Sequence, residues 1–115
     1  MKYIITFLSI LFTINLSYSQ TDVSGAISSD TTWGTSGSPY TVTGNVLVSS
    51  GVTLTIEAGV SVKFNDDLYL KVEGTLIAVG DSNNRIIFTS NNSEPNAGDW
   101  KWMLFDNTST TFDDN

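Results

Sequence analysis

Residues 51–64 read GVTLTIEAGVSVKF, and this stretch decides the fold because its apolar residues keep one spacing across a turn-like insert. The insert is Glu57 to Gly59. On both sides of it the apolar residues fall at even-numbered positions: Val52, Leu54, Ile56, Val60, Val62 and Phe64. A period of two is typical of a β-strand with one buried face. The chain therefore turns and still buries the same side.

The alternation extends from Val46 to Phe88, with turn-forming residues roughly every eight positions, at 49–51, 57–59, 65–67, 73–74 and 80–83. One straight strand of this length would run about 140 Å at ~3.3 Å per residue, which no small domain could cover. The tight-hairpin dipeptides Asn-Gly and Asp-Gly are absent. The interruptions therefore favour corners over reversals, although a meander stays open as an alternative.

Comparison of the chain with itself indicates a repeat. A shift of 22 residues aligns two sets, Val46 and Val48 with Leu68 and Leu70, and residues 53–56 with residues 75–78. A shift of 24 aligns Val62 and Phe64 with Ile86 and Phe88, and we assign the two extra residues to the loop at 81–84. The pattern predicts a coil of three short strands wound at least twice. A third turn is expected from Trp100, where WKWMLF is apolar on both faces.

These segments resemble the N-terminal coils of bacterial secreted right-handed parallel β-helix proteins of the pectin-lyase-like superfold. The elements that carry the resemblance are Trp33, Pro39-Tyr40, residues 51–64, VEGTLIAVG at 72–80 and IIFTS at 86–90. The resemblance implies an all-β, right-handed parallel β-helix (solenoid) with an N-terminal cap and about three coils. We expect Trp33 and Tyr40 to have capping and core roles. The chain departs from the family pattern at 100–104, where a Gly-rich strand is usual.

The first residues have the layout of a secretory signal peptide, predicted over 1–19. Lys2 precedes an apolar run at 4–16, and Ser17 and Ser19 are small residues before Gln20. The run is short for a membrane span of roughly 20 residues, although an uncut anchor is the alternative. Residues 20–115 are then the N-terminal coils of a β-helix. The sequence stops without a polar cap, which favours the interpretation that it is a piece of a longer protein. We expect that protein to be secreted or at the cell surface.

Composition excludes several classes of function. The chain has no Cys and no His, so it lacks disulfides and the commonest general base and metal ligand. Without Lys2, four basic residues face twelve acidic ones, a net charge of −8. This charge disfavours nucleic acid and anionic membranes as partners. We predict no catalytic residue, no cofactor and no metal site.

Several residues could still carry chemistry. Asp66-Asp67 and Asp113-Asp114 could bind Ca²⁺, but Asp is also a common turn residue. Glu57 and Glu73 could form an acid pair, but each lies at an expected corner. A threonine array that binds ice would need stacked Thr, and the repeat places Thr55 on Ile77. Trp100 and Trp102 are kept as candidate carbohydrate contacts.

The sequence thus predicts a non-catalytic structural segment of an exported bacterial β-helix protein, with a role in adhesion or interaction. The expected partner is a polysaccharide or a cell-surface component, together with further coils of the same chain. The alternative is the N-terminal part of a polysaccharide lyase or glycoside hydrolase whose active site lies beyond residue 115. The cleaved chain is not expected to span a membrane.

Overall fold

The computed structural model describes residues 20–106, and these residues form short strands with almost no helix. One 3-10 turn spans Thr35–Gly37. The predicted signal peptide and the Asp113-Asp114 pair lie outside the described residues. No described helix is long and apolar enough to cross a bilayer. The strands are β1 (Thr21–Ile27), β2 (Thr31–Trp33), β3 (Tyr40–Val48), β4 (Thr53–Ile56), β5 (Ser61–Phe64), β6 (Tyr69–Val72), β7 (Thr75–Ala78), β8 (Ile87–Ser90) and β9 (Trp102–Phe105).

Every pair of neighbouring strands in the described residues is parallel, and the pairs define a three-sided coil. The first side is the sheet β2-β4-β7. β3 supplies two sides of one coil, because its first half pairs with β5 and its second half pairs with β6. β8 and β9 then pair with β5 and β6. The first coil is therefore β2 and β3, the second is β4 to β6, and the third is β7 to β9. The fold is an all-β parallel β-helix of about three coils, as the sequence predicts.

The interior is a continuous column of aliphatic side chains at the even positions that the sequence marks as apolar. Fully buried examples are Val42, Val46, Val48, Leu54, Ile56, Val60, Val62, Phe64, Leu70 and Val72. Burial of each large aliphatic side chain is worth about 1.5–3 kcal/mol, so this column is the main source of stability. The chain has no disulfide to add to it.

The turn at Glu57 to Gly59 explains how the chain changes direction without changing its buried side. The Glu57 N–H donates to the Trp33 carbonyl one coil below, at 3.0 Å, and the Val60 N–H donates to the Glu57 carbonyl, at 3.2 Å. Gly59 takes a φ of 89°, a left-handed value that costs glycine little. The corner therefore stays bonded to the preceding coil, and Ile56 and Val60 both point inward.

Two alignments expected from the sequence repeat are wrong. Val46 pairs with Leu70 rather than Leu68, because the corner before β6 holds two more residues than the bend inside β3. Val62 pairs with Phe88 rather than Ile86. The loop before β8 is longer than expected. The N–H and carbonyl groups of Asp81 and Asn84 close it with two hydrogen bonds, of 3.1 and 3.2 Å. The 53–56 to 75–78 alignment is confirmed.

The segment WKWMLF does not open a new coil; its residues 102–105 form the third side of the third coil, as β9. Met103 pairs with the interior residue Leu70, so odd-numbered residues face inward here. The inward-facing residues change from even to odd numbers because the loop at 91–101 is longer than its second-coil counterpart at 65–68 by an odd number of residues.

The expected capping and core roles of Trp33 and Tyr40 are confirmed. Both side chains are buried, and their rings stack with centroids 5.0 Å apart. The Tyr40 hydroxyl donates to the Gly34 carbonyl at 2.9 Å, which satisfies its polar end. Val23 and Ile27 of β1 pack against the same core from the N-terminal side.

Candidate interaction surface on the third coil

The outward side chains change character between the second and the third coil. Strand register aligns four outward pairs, Thr55 with Ile77, Ser61 with Ile87, Tyr69 with Trp102 and Lys71 with Leu104. Within residues 20–106, the large apolar side chains that are exposed all lie on the third coil: Ile77, Ile87, Trp102 and Leu104 face outward, Val79 follows β7, and Phe105 is paired with the interior residue Val72. The third coil is thus more apolar at these four outward positions, whereas two further outward pairs, Thr53 with Thr75 and Lys63 with Thr89, are polar in both coils.

One side of the coil concentrates this change, and we call it the Tyr69 face. It consists of the outward side chains of β6 and β9, with Asn45 and Leu47 of β3 in the coil below. The Asn45 Oδ1 accepts a hydrogen bond from the Tyr69 N–H at 3.0 Å. The Tyr69 and Trp102 rings stack, with centroids 4.3 Å apart and an interplanar angle of 17°. Trp102 remains 41% exposed and Leu104 43% exposed.

The stack follows from the strand pairing. Parallel neighbours lie ~4.8 Å apart, so aromatic residues at paired positions meet ring on ring. Aromatic pairs of this kind contribute about 0.5–1.5 kcal/mol beyond the area they bury. Each ring uses one face on its neighbour. Because the stack follows the direction from strand to strand, the outward surface presents the edges of the two rings.

Lys71 is the cation of the Tyr69 face, and two carboxylates hold it. Its Nζ lies 3.2 Å from Glu73 Oε2 and 3.3 Å from Asp106 Oδ2. The hydrogen bond to Glu73, and then the one to Asp106, raises the pKa of Lys71 above its ordinary value. With two carboxylates around one ammonium, the local charge of the face is negative.

The two tryptophans proposed as carbohydrate contacts have different surroundings. Trp100 lies flat on Phe64, with centroids 4.2 Å apart, and packs against the core while partly buried. Trp102 is on the exterior of β9. The structure does not bring them together on one surface. The carbohydrate-contact prediction is therefore carried forward for Trp102.

The acidic residues considered as metal or acid-base candidates are engaged at corners. Asp66 accepts from Asn92 Nδ2 at 2.9 Å, and Asp67 has a left-handed φ of 64° and donates its N–H to the Asp99 carbonyl. Glu57 accepts from the Thr35 N–H at 3.3 Å. Glu73 is held by Lys71. Residues 20–106 contain no group of three or more potential protein ligands placed to hold a metal ion.

Two further carboxylates stabilise the long loops of the third coil. The N–H groups of Asn83 and Asn84 lower the pKa of Asp81. The Asn96 N–H, and then the Ser90 hydroxyl, lower the pKa of Asp99. Ser90 is buried and donates to Asp99 Oδ2 at 2.7 Å, so this bond closes the loop at 91–99. Both carboxylates thus have structural roles.

The threonine column is broken as the sequence predicts. Thr53 pairs with Thr75, but Thr55 pairs with Ile77. Sequence reasoning missed the Tyr69–Trp102 stack and the Lys71 ion pairs. The stack and the Lys71–Asp106 ion pair depend on an offset of 33 residues between β6 and β9, which the repeat of 22 to 24 residues did not contain. Lys71 and Glu73 are only two residues apart in the chain.

The sheet pairing and the aliphatic column define the chain as a parallel β-helix domain. Comparison with known families agrees. The family described as "Pectate-lyase like beta helix domain" matches residues 25–108. The match covers most of the chain, and the chain belongs to this family.

A curated relative extends the comparison. Protein bark beetle of Drosophila melanogaster is 39% identical over 72 residues, which are 63% of this chain and 2% of that protein. The chain thus spans a very small part of the relative it matches. No solved structure matches the chain at a significant level.

Proposed function

We propose that the chain is a non-catalytic scaffold segment of an exported β-helix protein, and that its third coil contacts another macromolecule. Membership of the β-helix family supports the scaffold role. The signal-like residues 1–19 support export to the cell surface or beyond. The expected partner is a polysaccharide or a cell-surface component, with further coils of the same chain stacked on the third coil.

The observation that carries the proposal is the polar-to-apolar change on the exterior. At three paired outward positions the second coil carries Thr55, Ser61 and Lys71 and the third carries Ile77, Ile87 and Leu104. Thr75 and Thr89 keep two other outward positions of the third coil polar. Exposed apolar groups bring no folding stability until something covers them. Clusters of exposed apolar side chains mark interaction surfaces on soluble proteins.

The second candidate is part of a polysaccharide lyase or glycoside hydrolase, which the family description favours. Acid-base catalysis needs carboxylates or other titratable groups that converge on a substrate. In residues 20–106 the carboxylates considered above are bonded to corner backbone, to Asn side chains or to Lys71. These carboxylates are therefore not free to act together on a substrate.

A retention assay tests the proposal. The purified protein is mixed with insoluble cellulose, insoluble xylan and immobilised polygalacturonate, and the bound fraction and any released sugar are measured. We expect retention on at least one polymer without sugar release. The triple variant Ile77→Thr, Ile87→Ser, Leu104→Lys, which restores the second-coil residue types, should lose most of the retention.

The matched control is Thr55→Ser with Thr53→Ser, which changes outward positions of the second coil and should retain binding. Sugar release from any polymer would contradict a non-catalytic role. Equal retention of the triple variant and the unchanged protein, or no retention on any polymer, would contradict contact through the third coil.

A further inference from the structure

We propose that Gln20 is a modification site, where the exported chain closes its own N-terminus into a pyroglutamate ring. This inference rests on the export step of the proposed function, because cleavage of the predicted signal peptide over 1–19 makes Gln20 the first residue. Two observations carry it beyond that step: the residue type at this position and the bonds that hold the chain directly after it.

Glutamine at the first position can react with its own α-amine. Part of an N-terminal amine is uncharged at neutral pH and is then a nucleophile. The α-nitrogen of Gln20 attacks the side-chain carbon Cδ, and the new N–Cδ bond closes a five-membered lactam. The Cδ–Nε2 bond breaks, and Nε2 leaves as ammonia with a proton from the α-nitrogen. No oxidant, reductant or cofactor is consumed, so the reaction needs only the released N-terminus.

The structure leaves Gln20 accessible for this reaction. Gln20 is exposed and lies outside the sheet, directly before β1. Val23 of β1 packs against the core, whereas Asp22 is exposed like Gln20. Successive side chains of a strand point to opposite sides, so the start of β1 places its even-numbered side chains outside. The Gln20 side chain can therefore fold back onto its α-nitrogen without disturbing the core.

Ring closure also leaves the first strand intact. The Thr21 N–H donates to the Pro39 carbonyl at 3.1 Å, and the Thr21 hydroxyl donates to the Gly37 carbonyl at 3.0 Å. Both bonds use atoms of Thr21, whereas the lactam forms between the α-nitrogen and the side chain of Gln20. The fold is thus anchored at the residue after the reacting groups, and the reacting groups themselves are not part of the strand ladder.

The lactam protects the layer that closes the N-terminal end of the interior column. β1 pairs with β3 and places Val23 and Ile27 against the core. Aminopeptidases bind a free α-amine and remove residues from that end, and here the first strand begins at the very next residue, Thr21. A pyroglutamate has no free amine, so we expect the exported chain to resist trimming of β1.

The test expresses the full chain, with its own leader, in a bacterium that exports proteins, and recovers the protein from outside the cytoplasm. Free amines are labelled before digestion, and N-terminal peptides are identified by mass spectrometry. After incubation at neutral pH, we expect the first peptide to begin at position 20, to be lighter by one ammonia and to carry no label on its α-nitrogen. Gln20→Ala is the matched control, because it has no amide carbon for the α-nitrogen to attack. Its first residue should be labelled and should be removed by an aminopeptidase.

An exported chain that begins at Gln20 and keeps a labelled α-amine after the incubation overturns this inference and leaves the proposed export intact. A different first residue in the exported chain, or an unlabelled N-terminus in Gln20→Ala, also overturns it. A chain that stays in the cells with its leader uncut contradicts both this inference and the export in the proposed function. The polymer-retention assay compares changes on the third coil, so the proposed contact is tested independently of residue 20.

Discussion

The second and third coils follow the same three-sided path and differ in how their two surfaces are covered. In the second coil the interior residues Leu54, Val62, Phe64 and Leu70 are fully buried, because a coil lies on each side of them. In the third coil the corresponding Leu76, Phe88 and Met103 are only partly buried. Outside, the second coil is mainly polar, whereas the third combines exposed Ile77, Ile87, Trp102 and Leu104 with Thr75 and Thr89.

This difference shows that a coil of this fold does not complete its own core. A strand pair supplies the hydrogen bonds, but the inward side chains are covered only when the next coil lies on them. The third coil is therefore the described layer with the most exposed apolar surface.

The largest effect is expected at Gly74, in the corner that joins the second coil to the third. A Cβ at this position would overlap the carbonyl oxygens of Val52 and Ser49, which are backbone atoms and cannot move aside. Gly74→Ala should cost at least about 5 kcal/mol and abolish soluble folded protein. Circular dichroism and soluble yield measure this.

Gly98→Ala is the matched control in the third coil. A Cβ there meets nothing within 4 Å, and the cost comes only from its φ of 91°. The loss should be about 1–2 kcal/mol by urea denaturation. Equal losses at Gly74 and Gly98 would show that the corner is not closely packed.

The interiors of the two coils can be compared directly with phenylalanine truncations. Phe64 is 0% exposed and carries Trp100 on its ring, so Phe64→Ala should lower the free energy of unfolding by about 3–5 kcal/mol. Phe88 is only partly buried, because β8 is the last strand of its sheet in the described residues. Phe88→Ala should cost less than half as much in urea denaturation. A larger loss at Phe88 would contradict the difference in coverage.

Asp99, in the loop at 91–101, should make the free energy of unfolding depend on pH. Its pKa is lowered in the folded state, so its contribution is present above the pKa of the unfolded chain and is lost as pH falls through the folded value. In Asp99→Asn the free energy of unfolding should therefore fall less steeply with decreasing pH below pH 3.8, the ordinary aspartate value. Denaturation midpoints measured from pH 7 to pH 2 test this. If the denaturation midpoint falls with pH as steeply in Asp99→Asn as in the unchanged protein, the carboxylate does not stabilise the loop.

The smallest effect on stability is expected on the exterior. Ile77→Thr and Leu104→Lys introduce the residues of the second coil at paired positions, and each should change the free energy of unfolding by no more than about 0.5 kcal/mol. Binding of a fluorescent hydrophobic probe should fall in both variants. A stability loss near that of Phe88→Ala would mean that these side chains support the fold rather than a contact.

The sequence predicts the corners and the buried face well because both depend on local chemistry. Gly, Asn and Asp mark the corners at 49–51, 57–59, 65–67 and 73–74, and all four separate strands in the structure. Val52, Leu54 and Ile56 alternate because one side of each strand faces the interior. These signals need no knowledge of which coil lies beside which.

Register was predicted only in part, because a period of two does not detect insertions of an even length. Extra residues before β6 and before β8 leave even positions inside, so Leu68 and Leu70 fit equally well by parity. An odd insertion reverses the phase, which is why Met103 faces inward and Trp102 outward. The candidate surface depends on that insertion, so the stack of Tyr69 on Trp102 had no signal in the sequence.

Backbone nuclear Overhauser contacts between coils report the pairing of the strands itself. A parallel β-helix with the pairing described above predicts cross-strand contacts from Val46 to Leu70, from Val62 to Phe88 and from Tyr69 to Trp102. The measurement uses ¹⁵N- and ¹³C-labelled protein with assigned backbone resonances. Contacts from Val46 to Leu68 and from Val62 to Ile86, or antiparallel contacts between sequential strands, would contradict the account.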